Sequence, residues 1–533
     1  MARRTLLLVV LFVASAVPAI AAGHGGDHKL DRSLRLRAHA GSGTSRLILQ
    51  TTAGSNVETL IASLGGTPGR RLPGMRGQVA LIPDRALDAV ASDPRVSALM
   101  LDRPVHGTLE RTAAATGAAW ARANLGLDGS GVGVVIVDSG VTAWHDDLGA
   151  QRVVHFADFV DFRPAAYDDY GHGTHVAGII AGDGYDSNGT RRGMAPGARL
   201  VVLKVLDGDG QGHISNVIAA LDYAVENRAR FNIRVVNLSV AAGVYQSFTT
   251  DPLTLAARRA VEAGIVVVTA AGNFGRNAKN EVQYGGITSP GNAPWVLTVG
   301  ASTHQGTAAR GDDEVAAFSS RGPSYFDYAA KPDLVAPGVG IESLSDGGSS
   351  LFSAHPSARL WGAVDTVTPP YLSLSGTSMA APVVTGTVAL MLQANPALTP
   401  NLVKAILQYT AERRPRYDDL TQGAGFLNTR GAVLLASSFS QDPAAPALAK
   451  DPTPWNAHIN WGNHRIGGGV LDPGASAWRT DVMWGAPTSA DGEPITWGTA
   501  CRGSECGTLI RGTRPRAASG AASGPDERLG ARQ

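Results

Sequence analysis

The sequence predicts a doubly wound α/β domain with a mainly parallel sheet, preceded by a small α+β unit and followed by a Trp/Gly-rich tail. Three observations carry this expectation. Val132–Val137, Leu200–Leu206, Val235–Leu238 and Ile265–Ala270 are near-continuous apolar runs, as strands buried on both faces require. Helical stretches such as Val217–Arg228 and Pro252–Ala263 lie among them, and strand–helix alternation is the signature of a parallel sheet. Hydrophobic residues make up 44% and charged residues 17%, a balance that suits a packed core. In such a domain the ligand crevice lies at the carboxyl ends of the strands.

The chain begins with Arg3-Arg4, then Leu6–Val17 and Pro18, then Ala19-Ile20-Ala21. That order of positive, apolar and small residues reads as a secretory signal over 1–21, and it implies a secreted, extracellular protein. The apolar run is shorter than the roughly twenty residues a membrane-spanning helix needs. Residues 22–112 read as a separate segment. It opens with a polar leader, His24–Arg37, and holds a β-α-β-α-β unit over 46–104, with strands at Leu47–Leu49, Val79–Ile82 and Val96–Leu101. The main domain spans 113–437. Five of the nine tryptophans fall between Trp455 and Trp497, so 438–506 reads as an accessory module, and 507–533 as disordered. Cys501 and Cys506 are the two cysteines; a bridge and a metal are both open for them. A formal net charge of +1 without a basic stripe excludes nucleic acid as the expected partner, and membrane integration is not expected either.

Three glycine-flanked turns carry chemistry-bearing side chains. Val134–Val137 runs into Asp138-Ser139-Gly140, which puts an Asp at the end of a buried strand, where a plain turn is the simpler explanation. Gly171-His172-Gly173-Thr174-His175 opens a helix of small residues. The two histidines there are three apart with no Glu between them, unlike a zincin pair. Ser375-Gly376-Thr377-Ser378-Met379-Ala380 leads into the apolar helix Val383–Gln393, so Ser378 is either an N-cap or a nucleophile beside free N–H groups. Pro382 is tolerable there if it falls in the first turn. A fourth member, Asn273, follows the strand Ile265–Ala270 and can donate a side-chain hydrogen bond to an oxyanion.

Together these segments resemble the subtilase family, residue by residue from Trp120 to Val433. The resemblance implies a subtilisin-like serine endopeptidase with Asp138, His172 and Ser378 as catalytic triad and Asn273 in the oxyanion hole. His175 is then a packed helix residue. Ser239, Val240 and Ala241 would form one wall of the substrate cleft, and Ala271 and Gly272 the other. The family often has Ser-Leu-Gly where this chain has Ser239-Val240-Ala241, which leaves the P1 preference open. Asp346–Tyr371 reads as an insertion, either a rim of the cleft or a passive loop. No cofactor is required for catalysis, and Asp147 stands where the family often places a structural calcium ligand. The partners implied are polypeptide substrates and the protein's own propeptide as intramolecular inhibitor, removed by autocatalysis. The rival classes are an inactive subtilase-like binding protein and an acyl hydrolase. Neither the order Asp-His-Ser nor the Ser378 motif fits the Gly-x-Ser-x-Gly elbow of the latter.

Overall fold

The computed structural model describes residues 27–30, 32–52, 55–72, 76–101, 108–277, 279–440 and 451–461, with the backbone of four short strands beyond. The signal segment, both cysteines, Trp497 and residues 509–533 lie outside the described residues; Gly507–Thr508, expected to be disordered, is a two-residue strand. The chain divides into two compact units between Pro104 and Val105.

In the first unit β1 (Thr44–Thr51), β2 (Thr67–Leu72), β3 (Gly77–Pro83) and β4 (Val96–Leu101) form one sheet in the order β2-β3-β1-β4, antiparallel throughout. Helices Glu58–Ser63 and Leu87–Ser92 make the order β-α-β-β-α-β. Leu47 and Leu49 on β1 point to one face and are fully buried with Ile61, Val90 and Leu99. β2 is absent from the sequence reading, because Thr67-Pro68-Gly69-Arg70-Arg71-Leu72 shows no apolar alternation. The leader also differs: Arg32–Ala40 is a helix. Leu30 and Leu34 bury themselves in this unit's core, a single apolar stripe hidden among Arg32, Arg35 and Arg37.

The second unit is built on an eight-stranded sheet. Its strands are β5 (Gly133–Asp138), β6 (Val153–Asp158), β7 (Arg199–Lys204), β8 (Ile233–Leu238), β9 (Val266–Ala270), β10 (Leu297–Thr303), β11 (Glu314–Val315) and β12 (Leu334–Pro337). The order is β11-β10-β9-β8-β5-β7-β6, with β12 also paired to β10, and only β11 runs antiparallel. All of β5 is buried. Val134 and Ile136 pack on one face of the sheet with helices His172–Ala181 and Thr377–Ala394, whereas Val135 and Val137 pack on the other with Ile214–Glu226 and Pro252–Glu262. Each such side chain contributes about 1.5–3 kcal/mol by leaving water, which explains the unbroken apolar run. Helix Thr377–Ala394 is long and apolar enough to cross a membrane, but 83% of it is buried inside the protein; it is the central core helix.

The start of the tail is part of this body rather than a separate module. Trp455 packs edge-on against Tyr409, and its Nε1 donates to Asp451 Oδ2 at 2.8 Å. That oxygen also accepts from Asn428 Nδ2 at 2.6 Å, and Asn456 N–H bonds Ala411 O at 2.8 Å. Ile459, on β16 (His458–Trp461), joins the main core. The sequence reading separated it because the chain beyond Ser438 turns Pro-, Gly- and Trp-rich. Ser378→Ala protein ending at residue 437 should therefore melt several degrees lower than the same protein ending at 461. Trp455→Ala should cost about 2–4 kcal/mol in denaturant unfolding; equal melting of the two truncations would show that the segment adds nothing.

Candidate active site

The sheet order turns at β5, with β7 on one side and β8 on the other, so a crevice opens at the carboxyl end of β5. Asp138 is the last residue of that strand and is fully buried. Its Oδ1 accepts from the Ser139 N–H at 2.8 Å and faces His172 Nδ1 at 2.8 Å. Its Oδ2 is buried without a hydrogen-bond partner among the described residues. His172 starts the helix His172–Ala181. Burial disfavours its cation, but the charge and hydrogen bond of Asp138 outweigh that and hold its pKa above the usual 6.5.

The helix start is fixed by a residue the sequence reading passed over. Asp168, fully enclosed, accepts from Gly171 N–H (2.7 Å), Thr174 N–H (2.7 Å), Thr174 Oγ1 (2.6 Å) and Ser139 Oγ (2.8 Å). Burial nevertheless leaves its carboxyl above the ordinary range. Gly171 adopts φ +95°, and a Cβ there would strike Ser349 Oγ, so this position needs glycine. The doubled acid Asp168-Asp169 just before Gly171 was the available signal. His175 donates from Nε2 towards the carbonyls of Ile341 and Leu372, each at 3.1 Å, and burial holds it neutral with a pKa of about 3. It is a packed residue.

Ser378 is the second residue of helix Thr377–Ala394 and is half-buried. In this rotamer its Oγ donates to Ser239 O at 3.1 Å, and no bond to His172 is formed among the described residues; such contacts often tighten only with substrate. Pro382 is the helix's sixth residue, beyond the first turn. Its missing N–H would have bonded the carbonyl four residues back, that of Ser378. Ser239 Oγ fills the vacancy, donating to Ser378 O at 2.9 Å. Asn273 Oδ1 accepts from Thr377 N–H at 3.0 Å and Thr377 Oγ1 at 3.1 Å. Because the N–H must meet an acceptor, the amide's NH₂ is turned the other way, free to donate. Ser239 is buried while Val240 and Ala241 are progressively open; Ala271 and Gly272 are buried, with Gly272 N–H bonded to Thr377 Oγ1 at 3.2 Å.

Residues 129–431 match the profile described as the Subtilase family. The chain belongs to the subtilase family. "Serine protease AprX" of Bacillus subtilis (strain 168) is 39% identical over 58% of this chain and 67% of its own length. "Extracellular serine proteinase" of Thermus sp. (strain Rt41A) is 33% identical over 63% and 71%, and "Subtilisin BL" of Lederbergia lenta 32% over 58% and 93%. A crystal structure of a cold adapted subtilisin-like serine proteinase is similar at 31% identity and a TM-score of 0.42, covering 57% of this chain and 90% of that one. This protein is thus a subtilisin-like serine peptidase.

Two further features of this subtilase lie near Asp138 and His172. The segment expected as an insertion, Asp346–Tyr371, packs against the turn before His172. Helix Ser350–Ala354 donates Ser350 N–H to Asp169 O (2.9 Å), Leu351 N–H to Tyr170 O (3.0 Å) and Ser350 Oγ to Gly208 O (2.6 Å). Asp147 is fully buried beside His145 and Asp186. Its Oδ2 accepts from the Tyr371 hydroxyl and its Oδ1 from Asp186 N–H, both at 2.8 Å. Burial pushes both carboxyls up, and for Asp186 the charge of Asp147 adds to it.

Replacing Asp168 by Ala in a Ser378→Ala background strands four buried donors. Denaturant unfolding should show a loss of about 3 kcal/mol or more; a loss below about 1 kcal/mol would mean that the helix start is held by other contacts.

Proposed function

We propose that this subtilase is a secreted endopeptidase, made as a precursor, in which Asp138, His172 and Ser378 act as a triad. The observation that carries this reading is the 2.8 Å pairing of His172 Nδ1 with buried Asp138. It fixes the imidazole tautomer and leaves Nε2 as the base. A turn of Ser378 Oγ away from Ser239 O brings the hydroxyl to that base. Attack on the scissile carbonyl then forms the tetrahedral intermediate, and His172 passes the proton on to the leaving amine. The Asn273 NH₂ and the Ser378 N–H, one of the unpaired donors at the helix start, stabilise the oxyanion. Water repeats the sequence on the acyl-enzyme. Ser239–Ala241 and Ala271–Gly272 are the walls against which an extended polypeptide substrate would lie.

Secretion is supported by the signal-like residues 1–21 and by relatives with names such as "Extracellular serine proteinase". Residues 22–104 form the propeptide in this reading, folding as a preformed unit and inhibiting the enzyme until it is cut. The cut is expected between Val105 and Ala115, towards the start of that window. Thr108–Thr116 is a helix whose Thr112 and Ala113 are buried in the second unit, so a protease cannot enter it.

Three outcomes follow. Asn273→Ala should lower kcat about 10²–10³-fold with little change in KM, a magnitude measured on a subtilisin rather than on this chain; a near-normal kcat would remove Asn273 from the oxyanion site. The pH profile of kcat/KM should rise through a pKa above 6.5, since the raised pKa of His172 means its base form appears only at higher pH; a flat profile contradicts a histidine base. N-terminal sequencing of active secreted enzyme should start between 105 and 108, with the Ser378→Ala chain remaining uncut. A start near Ala22 would make residues 22–104 a permanent domain.

A further inference from the structure

Lys204 takes no part in the reaction steps, yet it ends β7 directly beside Asp138, which ends β5. The two are register partners in the parallel ladder. The lysine side chain is fully buried. A buried ammonium is costly unless its N–H groups meet acceptors. Here Nζ donates to Ser139 O (2.6 Å), Asp169 Oδ1 (2.6 Å) and Leu206 O (2.7 Å), and lies 4.6 Å from the centre of the Tyr167 ring. Three acceptors use all three protons of the charged amine. This is a cation with a fixed direction for every bond.

The choice of acceptors links that cation to the triad segments. Ser139 follows Asp138, and Asp169 stands three residues before His172. Ser139 is thereby held at three points: its N–H on Asp138 Oδ1, its hydroxyl on Asp168 and its carbonyl on Lys204. The same hydroxyl accepts from Gly173 N–H at 2.9 Å, just past His172. Asp169 is anchored as well. Its carbonyl accepts from Ser350 N–H at 2.9 Å, and a Cβ on Gly208 would stand 3.3 Å from its Oδ2. An ion pair whose carboxylate is 40% exposed adds little stability by itself. Its effect is geometric, because one nitrogen ties the turn carrying Asp138 to the turn carrying His172. Asp168 ties those turns through the Ser139 hydroxyl and leaves the carbonyl to Lys204.

On the triad reading, we propose that Lys204 is a positioning residue for peptide hydrolysis, acting through Ser139 and Asp169 to hold Asp138 and His172 in register. It touches neither the substrate nor the reacting atoms. Without the ammonium, the Ser139 carbonyl and the Asp169 carboxylate lose their common partner and the two turns drift apart. The bond from His172 Nδ1 to Asp138 then loosens, and the imidazole meets Ser378 less often in a reactive pose. A displacement of about 1 Å in such a pair costs up to about 10²-fold in rate. Ser239–Ala241 and Ala271–Gly272 follow other strands, so substrate binding is spared.

Kinetics of the processed enzyme on a short peptide provide the test. Lys204→Met keeps an apolar stem without the charge, and should lower kcat about 10–100-fold with KM changed less than about twofold. In full-length Ser378→Ala protein it should also shift or broaden the low-field proton resonance of the His172 Nδ1–H, which reports the bond to Asp138. Asp169→Ala, at a half-exposed position that folding tolerates, should lower kcat about 3–30-fold. Asp169→Asn keeps an acceptor oxygen for Nζ and should restore most of that loss. A merely structural lysine would lower Tm and leave kcat and the resonance as they were; that result in folded Lys204→Met overturns the assignment. Should Lys204→Met fail to fold, Asp169→Ala decides, since a kcat within about twofold of the unmodified enzyme overturns it equally. Ser378→Ala alone must abolish turnover of the same peptide. Residual turnover there would remove the triad itself, a failure distinct from normal kcat in the Lys204 and Asp169 variants.

Discussion

The pairing of Asp138 with His172 is the constraint around which the catalytic unit is arranged. A carboxylate at the end of a fully buried strand is costly unless its partners are ready. Here one oxygen meets the Ser139 N–H and the imidazole, and the other has no hydrogen-bond partner among the described residues. Such a site tolerates little displacement of His172. Asp168 responds to that requirement by tying Gly171, Thr174 and Ser139 to one carboxyl, and the insertion clamps the two residues before Gly171. The position of β5 at the turn of the strand order matters for the same reason. It lets β8 and β9 deliver Ser239 and Asn273 to one side of the crevice while β7 closes the other.

A second dependence links Ser378 to Ser239. Pro382 interrupts the helix behind Ser378 and frees the Ser378 carbonyl, which Ser239 Oγ then takes; Asn237 Nδ2 in turn donates to Ser239 Oγ at 2.9 Å, and Asn237 Oδ1 accepts from Thr385 at 2.8 Å. An apparent helix breaker thus ties the central helix to β8. Ser239 serves two purposes, since its own carbonyl also holds the resting Ser378 hydroxyl.

What could be read in the sequence follows from range. β5, β7, β8 and β9 were legible because burial on both faces writes an unbroken apolar run, and the motifs at their ends stood out because the turns need glycine. Asp168, the docking of Trp455 and the insertion's contacts were not legible. Each is a long-range hydrogen bond or packing contact made by an ordinary-looking residue in a polar stretch. Pro382 was recognised as unusual, but only the fold could supply Ser239 as the compensating donor. In the first unit, helix Arg32–Ala40 was hidden because two leucines among arginines give too short a stripe, and β2 because proline and glycine mask an edge strand.

The Asp138 charge is what keeps His172 basic inside a site whose burial would otherwise favour the neutral ring. Titration of His172 by NMR in ¹⁵N-histidine-labelled Ser378→Ala protein, with and without Asp138→Asn, tests it most directly. With Asp138 present the pKa should lie above 6.5, and without its charge burial outweighs the smaller remaining pull of Asp168, so the pKa should fall below 6.5. An unchanged His172 pKa in the Asp138→Asn protein would contradict the account.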